Sequence, residues 1–175
     1  MTIIADFDNK KFMDYAISEA SKFLPEDMNE EKIAYVMENF KGSASRIAGY
    51  LTTDDSLNIK NYNEFISRAY FILEWIFKIL VALVDSDIPE ECRRGFVLDI
   101  GYTAYDISIN IINLEDITEE QIKSTIEFQV LKKVKELLDN LEKEGLITEE
   151  IAKDFWKHPK MDKSIKNILF SLFKQ

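Results

Sequence analysis

With 175 residues, 46% hydrophobic and 31% charged, the chain has the composition of an ordered globular protein and enough length for a substantial core. A formal net charge of −10 works against nucleic acid and anionic membrane surfaces, because binding phosphate needs a basic face. Five Gly and three Pro are too few for a strand-and-turn architecture and favour long helices joined by short connections.

A lone cysteine, Cys92, forms no internal disulfide and fits a reducing compartment. Residues 1–6 lack a basic segment followed by an apolar run, so no secretory signal is expected there. The longest apolar stretch, 71–84, is interrupted by Glu74 and Lys78. It is shorter than the about 20 residues that span a bilayer. The expected setting is cytoplasmic.

In chain order, Asp8 can cap a first helix to about Leu24, with Phe12, Met13, Ala16, Ile17, Ala20, Phe23 and Leu24 at helical spacing and Pro25 as its stop. A second helix from Asn29 carries Ile33, Val36, Met37 and Phe40 and is expected to end at Gly42. Ser43 then caps a short third helix with Ala44, Ile47, Ala48 and Leu51 inward, and 52–60 is a polar loop. Asn61 and Glu64 have the spacing of a capping box, opening a helix over 62–84 that is apolar around most of its circumference. Pro89 begins a helix over 89–113 with Phe96, Ile100, Ala104, Ile107, Ile111 and Leu114 inward. Thr118-Glu-Glu-Gln121 is a second capping box, opening a helix over 119–144 that stops at Gly145. A short helix over 148–157 breaks at His158 and Pro159, and Asp162 can cap a last one with Ile165, Ile168, Leu169, Leu172 and Phe173 inward.

The expected fold is all-α: a single domain over 1–175, a bundle of seven or eight helices around three long central ones at 62–84, 89–113 and 119–144. An N-terminal helical subdomain over 1–52, packed on a bundle over 61–175, is the alternative division. No internal repeat or low-complexity tract is present.

Familiar chemistries find little support. One histidine and one cysteine exclude the common zinc ligand sets, and no Gly-rich phosphate loop occurs. The expectation is therefore no metal, no cofactor and no catalytic residue. Three carboxylates inside apolar helices, Glu74, Asp99 and Asp106, would have raised proton affinity if buried. With Tyr102 they define a candidate pocket, provided the face carrying Asp99, Tyr102, Asp106, Asn110 and Asn113 meets the one carrying Glu64, Arg68, Glu74 and Lys78. The simpler reading makes both faces solvated, with Glu64–Arg68 and Glu74–Lys78 as surface pairs. Tyr15, Tyr35, Tyr50, Tyr62, Tyr102 and Tyr105 could line a ligand pocket or a partner surface, or pack at the core's edge.

Acidic clusters remain. If the helices alternate strictly, the connections at 25–31, 52–60 and 114–120 share one end of the bundle. That would gather Glu26, Asp27, Glu30, Glu31, Asp54, Asp55, Glu115, Asp116, Glu119 and Glu120 into one negative surface able to steer a basic protein. The leading functional expectation is a non-enzymatic interaction module that binds, and neutralises or inhibits, a basic protein partner. This is the role of an immunity, anti-defence or antitoxin protein. The alternatives are a small-molecule regulator or enzyme with an inter-helix pocket, and a structural homo-oligomer sharing the helix over 62–84.

Overall fold

Six helices follow one another in the computed structural model, which describes residues 8–53, 62–112 and 114–161: α1 (Asn9–Lys22), α2 (Glu30–Thr53), α3 (Tyr62–Asp85), α4 (Glu90–Ile111), α5 (Glu119–Lys143) and α6 (Glu149–Lys157). The all-α expectation holds among these residues. The final helix expected after Asp162, the cap at Asn61 and the loop acids Asp54 and Asp55 lie outside them.

Local signals place most boundaries. Asp8 accepts a hydrogen bond from the Lys11 amide at 3.1 Å, and Asn29 accepts one from the Lys32 amide at 2.9 Å. Thr118 and Gln121 form the reciprocal capping box at the start of α5, and Thr148 caps α6 through the Ile151 amide. Gly145 ends the α5 region at φ 76, a conformation that costs glycine little. Glu30 and Glu31, Glu90 and Glu91, Glu119 and Glu120, and Glu149 and Glu150 occupy first turns, where the helix dipole favours negative charge.

One expectation is corrected. Gly42 does not end a helix: α2 runs unbroken through Gly42 and Gly49 to Thr53. Val36, Phe40, Ala44, Ile47 and Leu51 are all buried and continue one stripe across the glycine. Burying that stripe outweighs the roughly 1 kcal/mol a helical glycine costs. The two short helices are therefore one long one, and the described residues hold four long helices rather than three.

The merger fixes the topology. Lys32 at the start of α2 pairs with Asp85 at the end of α3 at 3.1 Å, marking what we call the Pro25 end. At the opposite, Arg68 end, the Arg68 guanidinium in α3 donates to the backbone oxygens of Ile112 and Leu114 in the α4–α5 connection. α3 touches α1, α2, α4 and α5, which bury most of its apolar circumference within one chain. Gly101 lets α4 lie close to α2: a Cβ there would sit 2.8 Å from Arg46 Nη1 and 3.5 Å from Ser43 Oγ. Buried side chains from all six helices, including Trp75, Phe40, Phe155 and Ile47, belong to a single cluster.

α6 crosses the Pro25 end. Phe155 packs on Phe96 at 6.1 Å between ring centroids, His158 Nε2 lies 2.8 Å from Asp85, and Lys160 Nζ sits 5.9 Å over the Phe23 ring. The chain is thereby carried from α5 past α4 and α3 to the C-terminal end of α1.

Candidate functional site

The acids expected to share one surface do not. Because α2 is continuous, Glu26, Asp27, Glu30 and Glu31 lie at the Pro25 end, whereas Glu115, Asp116, Glu119 and Glu120 lie at the Arg68 end. Glu119 is engaged there, its Oε1 accepting from Arg68 Nη2 at 2.7 Å. The carboxylates that join the first group are instead Asp85, Asp87, Glu90 and Glu91, from the α3–α4 connection and the start of α4.

The candidate pocket of Glu74, Asp99, Tyr102 and Asp106 does not assemble either. Asp99, Tyr102 and Asp106 are exposed on the outer face of α4, with Arg46 stacked over the Tyr102 ring at 5.4 Å. Glu74 is on α3, its side chain 53% exposed and 3.6 Å from Lys78. None of the three acids is buried. Both faces are largely solvated. The exception is Arg68, which turns inward.

Glu74 nevertheless lines an open groove of about 500 Å³ between α1 and α3 with Lys123 of α5 at its side. Its origin can be read from side-chain size. α1 presents Ala16 and Ala20 inward, and these are too small to fill the space against α3. Phe40, Leu73 and Phe77 form the base, with the Phe40 and Phe77 rings edge to face at 6.0 Å. Tyr70 stacks on Phe12 at 4.8 Å and meets Tyr15 at 4.8 Å, closing the groove toward the Arg68 end. Tyr15 and Phe23 are 52% and 56% exposed on its α1 edge. Phe23, expected inward, sits one residue past α1, where the chain has already turned away from the core.

Charge is confined to the rim: Glu19 on α1, Glu74 on α3 and Lys123 on α5, whose Nζ lies 5.4 Å over the Phe71 ring. Beside it on α5, Glu127 is half-buried, and loss of hydration raises its proton affinity above the ordinary carboxylate value. Lys78 and the buried Trp75 indole pull the other way, and Glu74 adds to the rise. Sequence reasoning missed Glu127. Its one signal is position: it follows Ile126 and precedes Val130 and Leu131 at helical spacing, at the edge of a buried stripe.

His158 is held at both nitrogens, with Nδ1 accepting from the Lys160 amide at 3.1 Å and Nε2 against Asp85. With Nδ1 accepting, Nε2 is the ring nitrogen left to donate to Asp85. No group of three or more His, Cys, Asp or Glu side chains suited to a metal occurs among the described residues, and no described helix is long and apolar enough to cross a membrane. No protein family model matches the chain, and neither a curated protein nor a solved structure matches it.

Proposed function

We propose that the protein is a helical interaction module whose α1–α3 groove takes an amphipathic, basic helix from a protein partner. The observation that carries this reading is the groove itself: aromatic at its base, open along its length and edged by Glu19 and Glu74. Helix-in-groove recognition buries one apolar stripe and leaves its flanks to set specificity. A net charge of −10 favours encounter with a cationic partner and makes it salt-dependent. Neutralising or inhibiting that partner would follow from covering its helix. The carboxylates at the Pro25 end add to the same field rather than forming a separate site.

A fluorescein-labelled helix of Leu and Lys, with Leu on one stripe, tests the reading against its Leu and Glu counterpart. The basic peptide should bind roughly tenfold or more tightly than the acidic one. Phe23→Asp and Tyr15→Asp, at exposed positions, should abolish binding without unfolding the chain. Equal binding of both peptides, or binding indifferent to those substitutions, would overturn it. The groove's volume also falls in the range of small-ligand sites, about 300–1,000 Å³. A small apolar compound that displaces the peptide and raises the melting temperature would turn the reading toward a sensor.

A further inference from the structure

α4 is apolar on two faces. Its inner stripe, Phe96, Ile100, Ala104, Ile107 and Ile111, is buried in the core. On the outer side Leu98, Tyr102 and Ile109 are 47%, 54% and 40% exposed and fall along one line. Apolar side chains scattered singly over a surface are ordinary, whereas a row of them marks a contact.

The row has the spacing of a seam. Gly95, Tyr102 and Ile109 recur every seven residues, and Leu98 and Tyr105 stand three residues after the first two. That pattern is how one helix packs along another of its kind. Tyr105 is half-buried, its ring edge-on to Tyr50 of α2 at 6.3 Å. Gly95 is exposed, with open space where a Cβ would stand.

Charge on the two flanks is opposite. Gly101 and Tyr105 face α2, and the flank on that side carries Arg94 together with Arg46 from α2 itself. The far flank carries Asp99 and Asp106, both exposed. Gly101 has no side chain to extend the cationic flank, and a guanidinium takes its place: a Cβ there would lie 2.8 Å from Arg46 Nη1. None of these four charges has an ion-pair partner among the described residues.

We propose that this face of α4 is a homodimer interface, in which two copies pack α4 on α4 in parallel across a two-fold axis. In that arrangement the residue before a seam position approaches the one five further along on the other helix. Arg94 meets the second copy's Asp99. Arg46, standing where residue 101 would project, meets the second copy's Asp106. An antiparallel pair would set cations against cations and carboxylates against carboxylates, so charge selects the parallel form. Glu91 continues the seam one turn earlier, and its repulsion from its own copy limits the contact at the Pro25 end. Gly95 to Ile109 is about 21 Å of helix. So short a contact, with a net charge of −10 on each copy, makes the dimer weak and dependent on concentration. No residue of α4 lines the α1–α3 groove, so a second copy leaves it open and the two readings stand or fall separately.

Sedimentation equilibrium on the full chain tests the interface. The weight-average mass should climb from one chain's 20.4 kDa toward twice that between about 10 µM and about 1 mM. Leu98→Asp/Tyr102→Asp, at exposed positions, should stay at one chain's mass and keep its far-ultraviolet circular dichroism. Arg46→Glu/Arg94→Glu and Asp99→Arg/Asp106→Arg should each self-associate at least roughly tenfold more weakly, and an equimolar mixture of the two should regain the dimer. Cys92→Ser/Ile109→Cys reads the register: oxidised glutathione should trap it as a disulfide-linked dimer, because residue 109 meets itself. One chain's mass at every concentration, charge variants that associate like the unaltered chain, a mixture that does not recover, or no trapping through residue 109 would each overturn the proposal.

Discussion

Arg68 and Glu119 join the start of α3 to the start of α5 through a guanidinium that is only 3% exposed, with Nη2 2.7 Å and Nε 3.2 Å from the same carboxylate oxygen. Nη1 donates to the backbone oxygens of Ile112 at 2.7 Å and Leu114 at 2.8 Å. The α4–α5 connection, which bends through Asp116 at φ 58, is thus held by one side chain from a helix more than forty residues earlier. Arg68→Met would leave two carbonyls without that charged donor and free Glu119. Each lost charge-assisted bond is worth about 1.5–3 kcal/mol, partly recovered where water reaches the carbonyls. We expect a destabilisation of about 3 kcal/mol, read as a lower urea midpoint at unchanged slope. Glu119→Gln should cost less than about 1 kcal/mol, because its side chain is 43% exposed and can be resolvated. Equal costs for the two would show that the carboxylate, not the backbone clasp, is the important partner.

Gly42 supplies a second prediction. A Cβ at Gly42 would meet nothing within 4 Å, and the residue is exposed in the middle of α2. Gly42→Ala should therefore stabilise the protein by about 0.5–1 kcal/mol, through helix propensity and a less flexible unfolded chain. Thermal unfolding decides it. A fall in melting temperature would mean that residue 42 is a helix stop requiring glycine, and the two-helix reading of 29–51 would return.

Apolar periodicity and capping residues make the helix class and most helix starts legible, because both signals are local. Periodicity misplaces the ends of the bundle on one residue. Gly42 reads as a terminator although Val36, Phe40, Ala44, Ile47 and Leu51 keep one period across it, and buried area overrides a propensity difference of that size. The error then propagates, since inserting one reversal moves every later connection to the wrong end. The site is less legible for a different reason. A groove depends on what faces Ala16 and Ala20 across space, and small residues in a helix stripe are equally consistent with tight packing. The polar face of α4 conforms to its simpler reading, a solvated stripe.

Glu127 gives a pH-dependent prediction. Its proton affinity in the folded protein is raised, chiefly by lost hydration. The ionised form is therefore disfavoured in the fold, and the cost appears as pH rises from the ordinary glutamate value near 4.3 through the higher folded value. Below that window the unaltered chain and the Glu127→Gln variant should be equally stable. At neutral pH Glu127→Gln should be the more stable, by less than about 1 kcal/mol, since the side chain is only half-buried and Lys78 offsets part of the cost. Melting temperatures at pH 4 and pH 7 test the sign. Loss of stability at pH 7 alone would mean that the attraction of Lys78 exceeds the desolvation it opposes.

Asp85 ties three parts of the Pro25 end together, accepting from Lys32 of α2 at 3.1 Å and lying 2.8 Å from His158 Nε2 beyond α6. The two contacts differ in kind. The Lys32 pair is partly exposed on both sides, 39% and 29%, and should be worth well under about 1 kcal/mol. His158 is 15% exposed and is oriented by the Lys160 amide, so its bond to Asp85 is pre-set and better shielded. His158→Ala should cost about 1–2 kcal/mol, roughly the value of a charge-assisted hydrogen bond plus the loss of packing. Lys32→Ala should cost a few tenths. A double-mutant cycle of each with Asp85→Ala separates the terms. The His158 coupling should be the larger and should persist in 0.5 M salt, whereas the Lys32 coupling should fade as surface charges are screened. Were both couplings to vanish with salt, the passage of the chain across the Pro25 end would rest chiefly on the packing of Phe155 and Met161.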